Sequence, residues 1–179
     1  MKRQEIHPRA LKLNLFSDEL LRGALLCAGT IHDANCMTIS WASMGVLWNK
    51  NIFVVYVRPT RYTYTFMEKA NDFTVNFFEE KYNKVLTFCG TRSGKNVDKF
   101  RECNLTRIKS HHIQSPGIDE SHLIIECQKI YFQDIVPDHF LDPDIDSLYP
   151  RKDYHRIYIG EIQRIYGVEQ FIDPDFNRP

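Results

Sequence analysis

The 179-residue sequence lacks the features that would place it in several large classes of protein. Lys plus Arg and Asp plus Glu both number 23, so the formal net charge is zero, which argues against a nucleic-acid or anionic-membrane surface built on bulk charge. No apolar run is long enough to span a bilayer, and the first residues lack the apolar core of a signal peptide. We therefore expect a cytoplasmic protein without a nucleic-acid or membrane partner.

The cysteines are not spaced for a structural site. The five cysteines are Cys27, Cys36, Cys89, Cys103 and Cys127. Their number is odd and no C-x-x-C pair occurs, so neither a zinc site nor a disulfide framework is indicated, and reduced, packed thiols are expected. The Asp-rich stretch 136–153 matches no EF-hand pattern, so no metal site is predicted there either.

The phosphate loop of nucleotide hydrolases, G-x-x-x-x-G-K-[ST], is also absent. Ser93-Gly94-Lys95 resembles its end, but Gly90 lies only four positions before Gly94, and Asn96 replaces the hydroxyl residue. The sequence therefore gives little support for nucleotide hydrolysis.

What is present fits one domain over residues 1–179, with 43% hydrophobic content and a core at about 24–166. Strands are predicted at Ala24–Ala28, from Asn35, and at Ile52–Val57, Phe73–Phe78, His122–Phe132 and Ile157–Ile165. Helices are predicted from Arg61 to near Asn71 and from about Asn96 to Glu102, whereas Phe16–Leu21 fits a short helix or edge segment and Val85–Gly90 a helix or short strand. Thr65-Phe66-Met67-Glu68 has the spacing of a capping box, and residues 136–153 are expected to form a lid or partner contact.

The helix beginning at Arg61 is the best candidate for an anion site. Unpaired amides and the positive end of the helix dipole meet there, Arg61 adds a charged fork, and Thr60 and Thr63 add hydroxyls. Thr38 and Ser40 occupy alternate positions of the strand that begins at Asn35, and Trp41 follows them. Their small hydroxyl side chains would line a flat polar group. The pattern predicts an aromatic ligand with a phosphate tail.

Five blocks of sequence, taken in order, resemble the flavin reductase-like family. The blocks are Asn35-x-Met37-Thr38-x-Ser40-Trp41, Arg61-Tyr62-Thr63, Phe73-x-Val75-Asn76, Cys89-Gly90-x-x-Ser93-Gly94-Lys95-x-Val97-Asp98-Lys99-Phe100, and Asp153-x-His155-x-Ile157-Tyr158-Ile159-Gly160-Glu161-Ile162. The resemblance covers roughly residues 24–166. It implies a mainly β fold with short helices (α+β), namely an antiparallel split β-barrel. It also implies that the barrel binds FMN, whereas FAD is less expected.

The resemblance also implies a set of site residues and partners. The cofactor-binding candidates are Asn35, Thr38, Ile39, Ser40, Trp41, Thr60, Arg61, Tyr62, Thr63, Cys89, Gly90, Ser93 and Lys95. His155 is the catalytic candidate, on the nicotinamide side of the ring, although a structural histidine at a barrel end is the alternative. Trp41 is equally compatible with a core or interface position, and Lys95 with a solvated lysine. The family implies a homodimer with the flavin near the interface.

Three functions remain open at this point. The first is an oxidoreductase of the flavin reductase type, which moves electrons from NAD(P)H through bound flavin to free flavin, a ferric chelate or a partner protein. The second is a flavoredoxin-like electron carrier without nicotinamide turnover. The third is a binding module that has lost its flavin, because the turns at Ile31–Ala34 and Leu47–Asn51 depart from the glycine-rich and proline-containing turns of the family.

Overall fold

One antiparallel sheet dominates the computed structural model, which describes residues 2–16 and 18–176. The strands are β1 (Gln4–Glu5), β2 (Ala24–Gly29), β3 (Ala34–Ile39), β4 (Ala42–Leu47), β5 (Lys50–Val57), β6 (Asp72–Phe77), β7 (Arg107–Ile108), β8 (Gly117–Ile118), β9 (Leu123–Asp134) and β10 (Arg156–Gly167). The α-helices are α1 (Asp18–Arg22), α2 (Tyr62–Lys69), α3 (Asn83–Thr91) and α4 (Lys99–Glu102). Short 3₁₀ turns occur at Pro8–Ala10, Glu80–Tyr82, Pro137–His139, Pro143–Leu148 and Glu169–Phe171. The predicted antiparallel sheet with short helices is confirmed.

The hydrogen-bonded strand order is β3-β2-β6-β9-β10-β5-β4, with β1 added on β10 and a separate β7–β8 pair. The sheet is not closed into a barrel, so the barrel closure implied by the resemblance is not confirmed. The two ends of the path, β3 and β4, are separated in sequence only by Ser40 and Trp41. The chain changes direction at these two residues, and both side chains are exposed beside the gap.

The composition of the long central strands favours extended, buried backbone. β5 is rich in β-branched and aromatic residues, and Phe53, Val55 and Val57 are fully buried. β9 and β10 pair over 11 residues of each, with register shifts between Ile159 and Gly160 and between Ile162 and Arg164. These strands carry the main core and fix the position of the β10 start, where His155 lies just before the strand.

β3 lies between helices on both of its faces. Met37 and Ile39 pack into the main core with Met67 of α2. Cys36 packs instead into a second cluster with Leu86 and Cys89 of α3. This alternation follows from the two-residue period of a strand, and it places α2 on one face of β3 and α3 with α4 on the other.

Several local predictions need correction. The helix predicted from Arg61 to near Asn71 is α2, which runs from Tyr62 to Lys69 with Arg61 at the N-cap. Thr65 of the predicted capping box lies inside this helix, and its hydroxyl donates to the carbonyl of Tyr62. The helix expected from Asn96 is only the four-residue α4, capped by Asp98, which accepts from the amides of Phe100 and Arg101.

The ambiguous elements and the hairpin turn are also resolved by the structure. The ambiguous Val85–Gly90 stretch is part of helix α3. In the Phe16–Leu21 stretch, Ser17 lies outside the described residues and α1 begins at Asp18. The β4–β5 hairpin turns through Trp48 and Asn49, both with positive φ as in a type I′ turn.

Candidate functional site

Three hydrogen bonds join the motif segments around β3. The Asn35 side-chain amide donates to the Thr63 hydroxyl of α2 at 2.7 Å. The Thr38 hydroxyl donates to the carbonyl of Leu86 in α3 at 2.6 Å, and the Arg61 guanidinium donates to the carbonyl of Gly90 at 3.1 Å. Residues separated by 28 to 48 positions are therefore brought into direct contact.

The first of two cavities, which we name the His155 cavity, lies beside the gap between β3 and β4. Its volume is about 200 Å³, and it is lined by Met37, Thr38, Ile39, Ser40, Trp41, Tyr56, Arg58, Arg61 and His155. The rings of Trp41 and His155 are 4.9 Å apart and tilted by 48°. The cavity is therefore lined by these two aromatic rings and by the two arginine side chains, Arg58 and Arg61.

The second cavity, which we name the Lys95 cavity, lies at the other end of β3 and has a volume of about 390 Å³. It is lined by His32, Asp33, Ala34, Asn35, Tyr62, Phe66, Gly94, Lys95, Asn96, Val97, Asp98, Lys99 and Arg107. Lys95 is exposed, whereas Asn35 is 6% exposed and Lys99 is 3% exposed. Three basic side chains and two acidic ones line it, so the excess charge is positive.

The start of α2 contributes to both cavities. Arg61 lines the His155 cavity, and the next residue, Tyr62, lines the Lys95 cavity. The described residues provide no hydrogen-bond acceptor for the amides of Tyr62 and Thr63, and Arg61 makes no side-chain cap. First-turn amides and the helix dipole favour an anion at this position.

The candidate residues separate into two groups. Nine of the fourteen line the two cavities: Asn35, Thr38, Ile39, Ser40, Trp41, Arg61, Tyr62, Lys95 and His155. The other five form internal contacts. Thr60 donates to Asp153, Thr63 accepts from Asn35, and the carbonyl of Gly90 accepts from Arg61.

Cys89 and Ser93 complete the second group. The Cys89 thiol is buried, and contact with Cys36 together with burial raises its pKa, so it is no nucleophile. The Ser93 hydroxyl accepts from the amide of Lys95 at 3.3 Å and shapes the turn that carries this lysine. Neither side chain lines the two cavities.

The environment of His155 keeps its imidazole neutral. The side chain is 8% exposed, its Nδ1 lies 2.8 Å from the Tyr149 hydroxyl, and Arg58 and Arg61 line the same cavity. Burial, followed by the charge of Arg58, lowers the pKa of His155 from 6.5 to about 4. At neutral pH it is therefore suited to donating or accepting a hydrogen bond rather than to acting as a general acid.

This environment predicts a pH dependence of stability. Between pH 6.5 and about 4 the unfolded chain binds a proton at His155 that the folded chain excludes, so this residue lowers stability as the pH falls. We expect the free energy of unfolding of the wild type to fall more steeply over this window than that of a His155→Gln variant. Chemical denaturation at a series of pH values measures the difference, and parallel curves would contradict it.

A profile for the flavin reductase-like domain matches residues 22–174, which is most of the chain. The chain belongs to the flavin reductase-like family. Flavoredoxin from Methanosarcina acetivorans is structurally similar, with a TM-score of 0.66 and 23% identity, covering 93% of this chain and 74% of that one. Component B of nitrilotriacetate monooxygenase from Bacillus cereus gives a TM-score of 0.65 at 19% identity, covering 95% and 84%. An uncharacterized protein of Archaeoglobus fulgidus is 23% identical over 159 residues, covering 88% of this chain and 79% of the relative.

The polar groups of this flavin reductase-like site suit the phosphate of a flavin better than its ring. The first-turn amides of α2 and the side chains of Arg61 and Lys95 are donors of the kind that bind a phosphate. Gly94 approaches Asn35 so closely that an added Cβ would lie 2.0 Å from Oδ1, so a larger residue there would displace the Asn35 side chain or the loop. The His155 cavity, at about 200 Å³, is smaller than typical ligand pockets of about 300 to 1,000 Å³, so a flavin ring would need surface from outside this cavity.

Sequence reasoning missed three site residues of the flavin reductase-like domain. Arg58 pairs with Asp153 at 2.8 Å and holds residues 143–153 beside the His155 cavity. Tyr149 contacts His155 from that stretch, and nothing in its Asp- and Pro-rich sequence indicates it. Lys99 donates to the carbonyls of Cys36 and Cys89; its position between a helix-capping aspartate and a buried phenylalanine was the available signal.

Two general findings bear on other kinds of site. None of the helices in residues 2–16 and 18–176 combines the length and apolar character that crossing a membrane requires. The same residues hold no group of three or more His, Cys, Asp or Glu side chains placed to bind a metal ion.

Proposed function

We propose that this protein is an FMN-binding oxidoreductase of the flavin reductase type, which uses NAD(P)H and passes electrons to free flavin, a ferric chelate or a partner protein. The observation that carries the proposal is that three hydrogen bonds around β3, Asn35–Thr63, Thr38–Leu86 and Arg61–Gly90, join β3, the start of α2 and helix α3. Bound FMN would supply the hydride- and electron-accepting chemistry.

The chain would hold the cofactor from both ends of β3. Arg61, Lys95 and the first-turn amides of α2 would bind the phosphate, while Thr38 to Trp41 would border the ring. Four charge-assisted hydrogen bonds at about 1.5 to 3 kcal/mol each offer roughly 6 to 12 kcal/mol. Association costs about 4 to 15 kcal/mol, so ring burial must contribute as well.

We propose a homodimer as the source of the missing ring surface. A largely apolar groove of about 670 Å³ adjoins the His155 cavity and shares Ser40, Trp41 and Tyr56 with it. Phe16 on its border is 96% exposed, which is unusual for so large an apolar side chain. Light scattering should give twice the chain mass, and a Phe16→Glu variant should shift the equilibrium towards the monomer.

The phosphate assignment predicts a large effect of Arg61 on flavin affinity. Arg61→Ala should weaken FMN binding by roughly tenfold to hundredfold, because one charge-assisted hydrogen bond contributes about 1.5 to 3 kcal/mol. Thr60→Val is the matched control, since the Thr60 hydroxyl is bound to Asp153 at 2.9 Å and should leave the affinity unchanged. Fluorescence titration with FMN measures both. An Arg61→Ala affinity equal to that of the wild type would exclude Arg61 from the phosphate site.

The second candidate function is a flavoredoxin-like carrier without nicotinamide turnover, which the similarity to flavoredoxin favours. Anaerobic mixing with NADH or NADPH separates the two. Rapid bleaching of the flavin absorbance supports the reductase, whereas a flavin reduced by dithionite but not by either nicotinamide supports the carrier.

A further inference from the structure

Tyr149 connects the 143–153 stretch to the His155 cavity. Its side chain is only 3% exposed, and its ring packs against Phe140 at 6.2 Å and Tyr154 at 4.9 Å. The Arg58 guanidinium lies 4.7 Å from the centre of the same ring and donates to the Leu148 carbonyl. The ring is therefore fixed on several sides, and so is the direction of its hydroxyl group.

That hydroxyl is 2.8 Å from Nδ1 of His155, and two proton arrangements satisfy this distance. In one, the hydroxyl donates to Nδ1 and the proton of the imidazole is on Nε2. In the other, Nδ1–H donates, and the hydroxyl proton then needs another acceptor, which the described residues do not provide. A buried donor without an acceptor costs about 1 to 3 kcal/mol. Tyr149 is 3% exposed and does not line the cavity, whereas His155 does, so an N–H on His155 is open to water or a ligand and the first arrangement is favoured.

In the first arrangement, the Nε2–H group of His155 is the one that can bind a molecule in the cavity. Nδ1 is occupied by Tyr149, and the described residues form no hydrogen bond with Nε2. The ring is held by Trp41 at 4.9 Å and by Tyr149, whose ring is at 5.5 Å. A neutral imidazole in this state presents one N–H donor.

We propose that Tyr149 is a positioning residue that holds His155 in the Nε2-protonated tautomer, so that Nε2–H donates to a carbonyl oxygen of the molecule bound in the His155 cavity. The identity of that molecule rests on the proposed function, whereas the tautomer does not. Carbonyl oxygens are present both on the pyrimidine ring of a flavin and on the carboxamide of a nicotinamide.

The tautomer is measured in the ligand-free protein by long-range ¹H–¹⁵N correlation of the histidine rings. The His155 signals are assigned by their loss in His155→Gln. We expect the wild type to show the Nε2–H tautomer at neutral pH, and Tyr149→Phe to show a mixture of both tautomers. Tyr154→Phe is the matched control, because the Tyr154 hydroxyl donates to Asp146 at 2.8 Å rather than to His155.

Two results would overturn the positioning role. One is an Nδ1–H tautomer in the wild type, which is decided without any variant and so does not depend on the folding of Tyr149→Phe. The other is a folded Tyr149→Phe protein with the same tautomer as the wild type.

The ligand half is tested by adding FMN and then oxidised NADP⁺. A downfield shift of the His155 Nε2–H proton with FMN alone assigns the carbonyl to the flavin, and a shift only after NADP⁺ assigns it to the nicotinamide. FMN that binds without a shift in either step removes the donor role. If absorbance shows no FMN binding at all, the proposed function fails, and the tautomer result still decides the role of Tyr149.

Discussion

Replacing Lys99 with methionine should lower the free energy of unfolding by about 2 to 4 kcal/mol and weaken FMN binding. Lys99 Nζ donates to the carbonyls of Cys36 and Cys89 at 2.8 and 2.7 Å in a buried setting. Each carbonyl left without a donor costs about 1 to 3 kcal/mol. Burial lowers the pKa of Lys99, so removing the charge returns part of this cost.

The effect on FMN follows from the position of Lys99. It joins β3 to the last turn of α3, whose Gly90 carbonyl is bound by Arg61, and it forms part of the Lys95 cavity. The positive charges of Lys99 and Arg61 both lie at the carboxyl end of α3, where they interact favourably with the negative end of the helix dipole. Urea unfolding and FMN titration measure the two effects. Lys84→Met, at an exposed lysine of α3, is the control, and equal stabilities of the Lys99 and Lys84 variants would contradict the role of Lys99.

Gly94→Ala is expected to reduce FMN affinity by roughly fivefold or more while the protein stays folded. The added Cβ would lie 2.0 Å from Oδ1 and 2.7 Å from Cγ of Asn35, far inside contact distance. Asn35 is held by its bond to Thr63, so either this bond or the loop that carries Lys95 must move. Overpacking of this kind costs about 1 to 3 kcal/mol, which corresponds to roughly fivefold to 150-fold in affinity.

A second glycine gives a matched control for Gly94. A Cβ added at Gly45, on the exposed strand β4, would meet no atom within 4 Å. Gly45→Ala should therefore leave both FMN affinity and the unfolding midpoint nearly unchanged. Wild-type FMN affinity in Gly94→Ala would show that the contact between this loop and Asn35 does not shape the site.

Much of the sheet was predictable from composition and alternation. The strands of the core were placed within a few residues, because β-branched and aromatic runs such as 52–57 fit a pleated buried surface. The open path of the sheet was not predictable, because pairing between β3 and β4 depends on the geometry at Ser40 and Trp41, which composition does not record.

The site was predictable at the level of segments rather than side chains. The motif blocks named stretches that line the two cavities, including the start of α2 and the Lys95 loop. Whether a hydroxyl faces a cavity or another side chain depends on tertiary packing: Thr60 is bound to Asp153 and Thr63 to Asn35. Tyr149 could not be predicted, because its contact with His155 arises only from the folding of residues 143–153 beside Arg58 and His155.

FMN binding is decided by the visible absorbance spectrum of the purified protein after incubation with FMN and desalting. We expect retained flavin bands at about one equivalent per chain. A colourless protein that also leaves the fluorescence of added FMN unchanged would contradict this expectation, and would favour a flavin-free binding module.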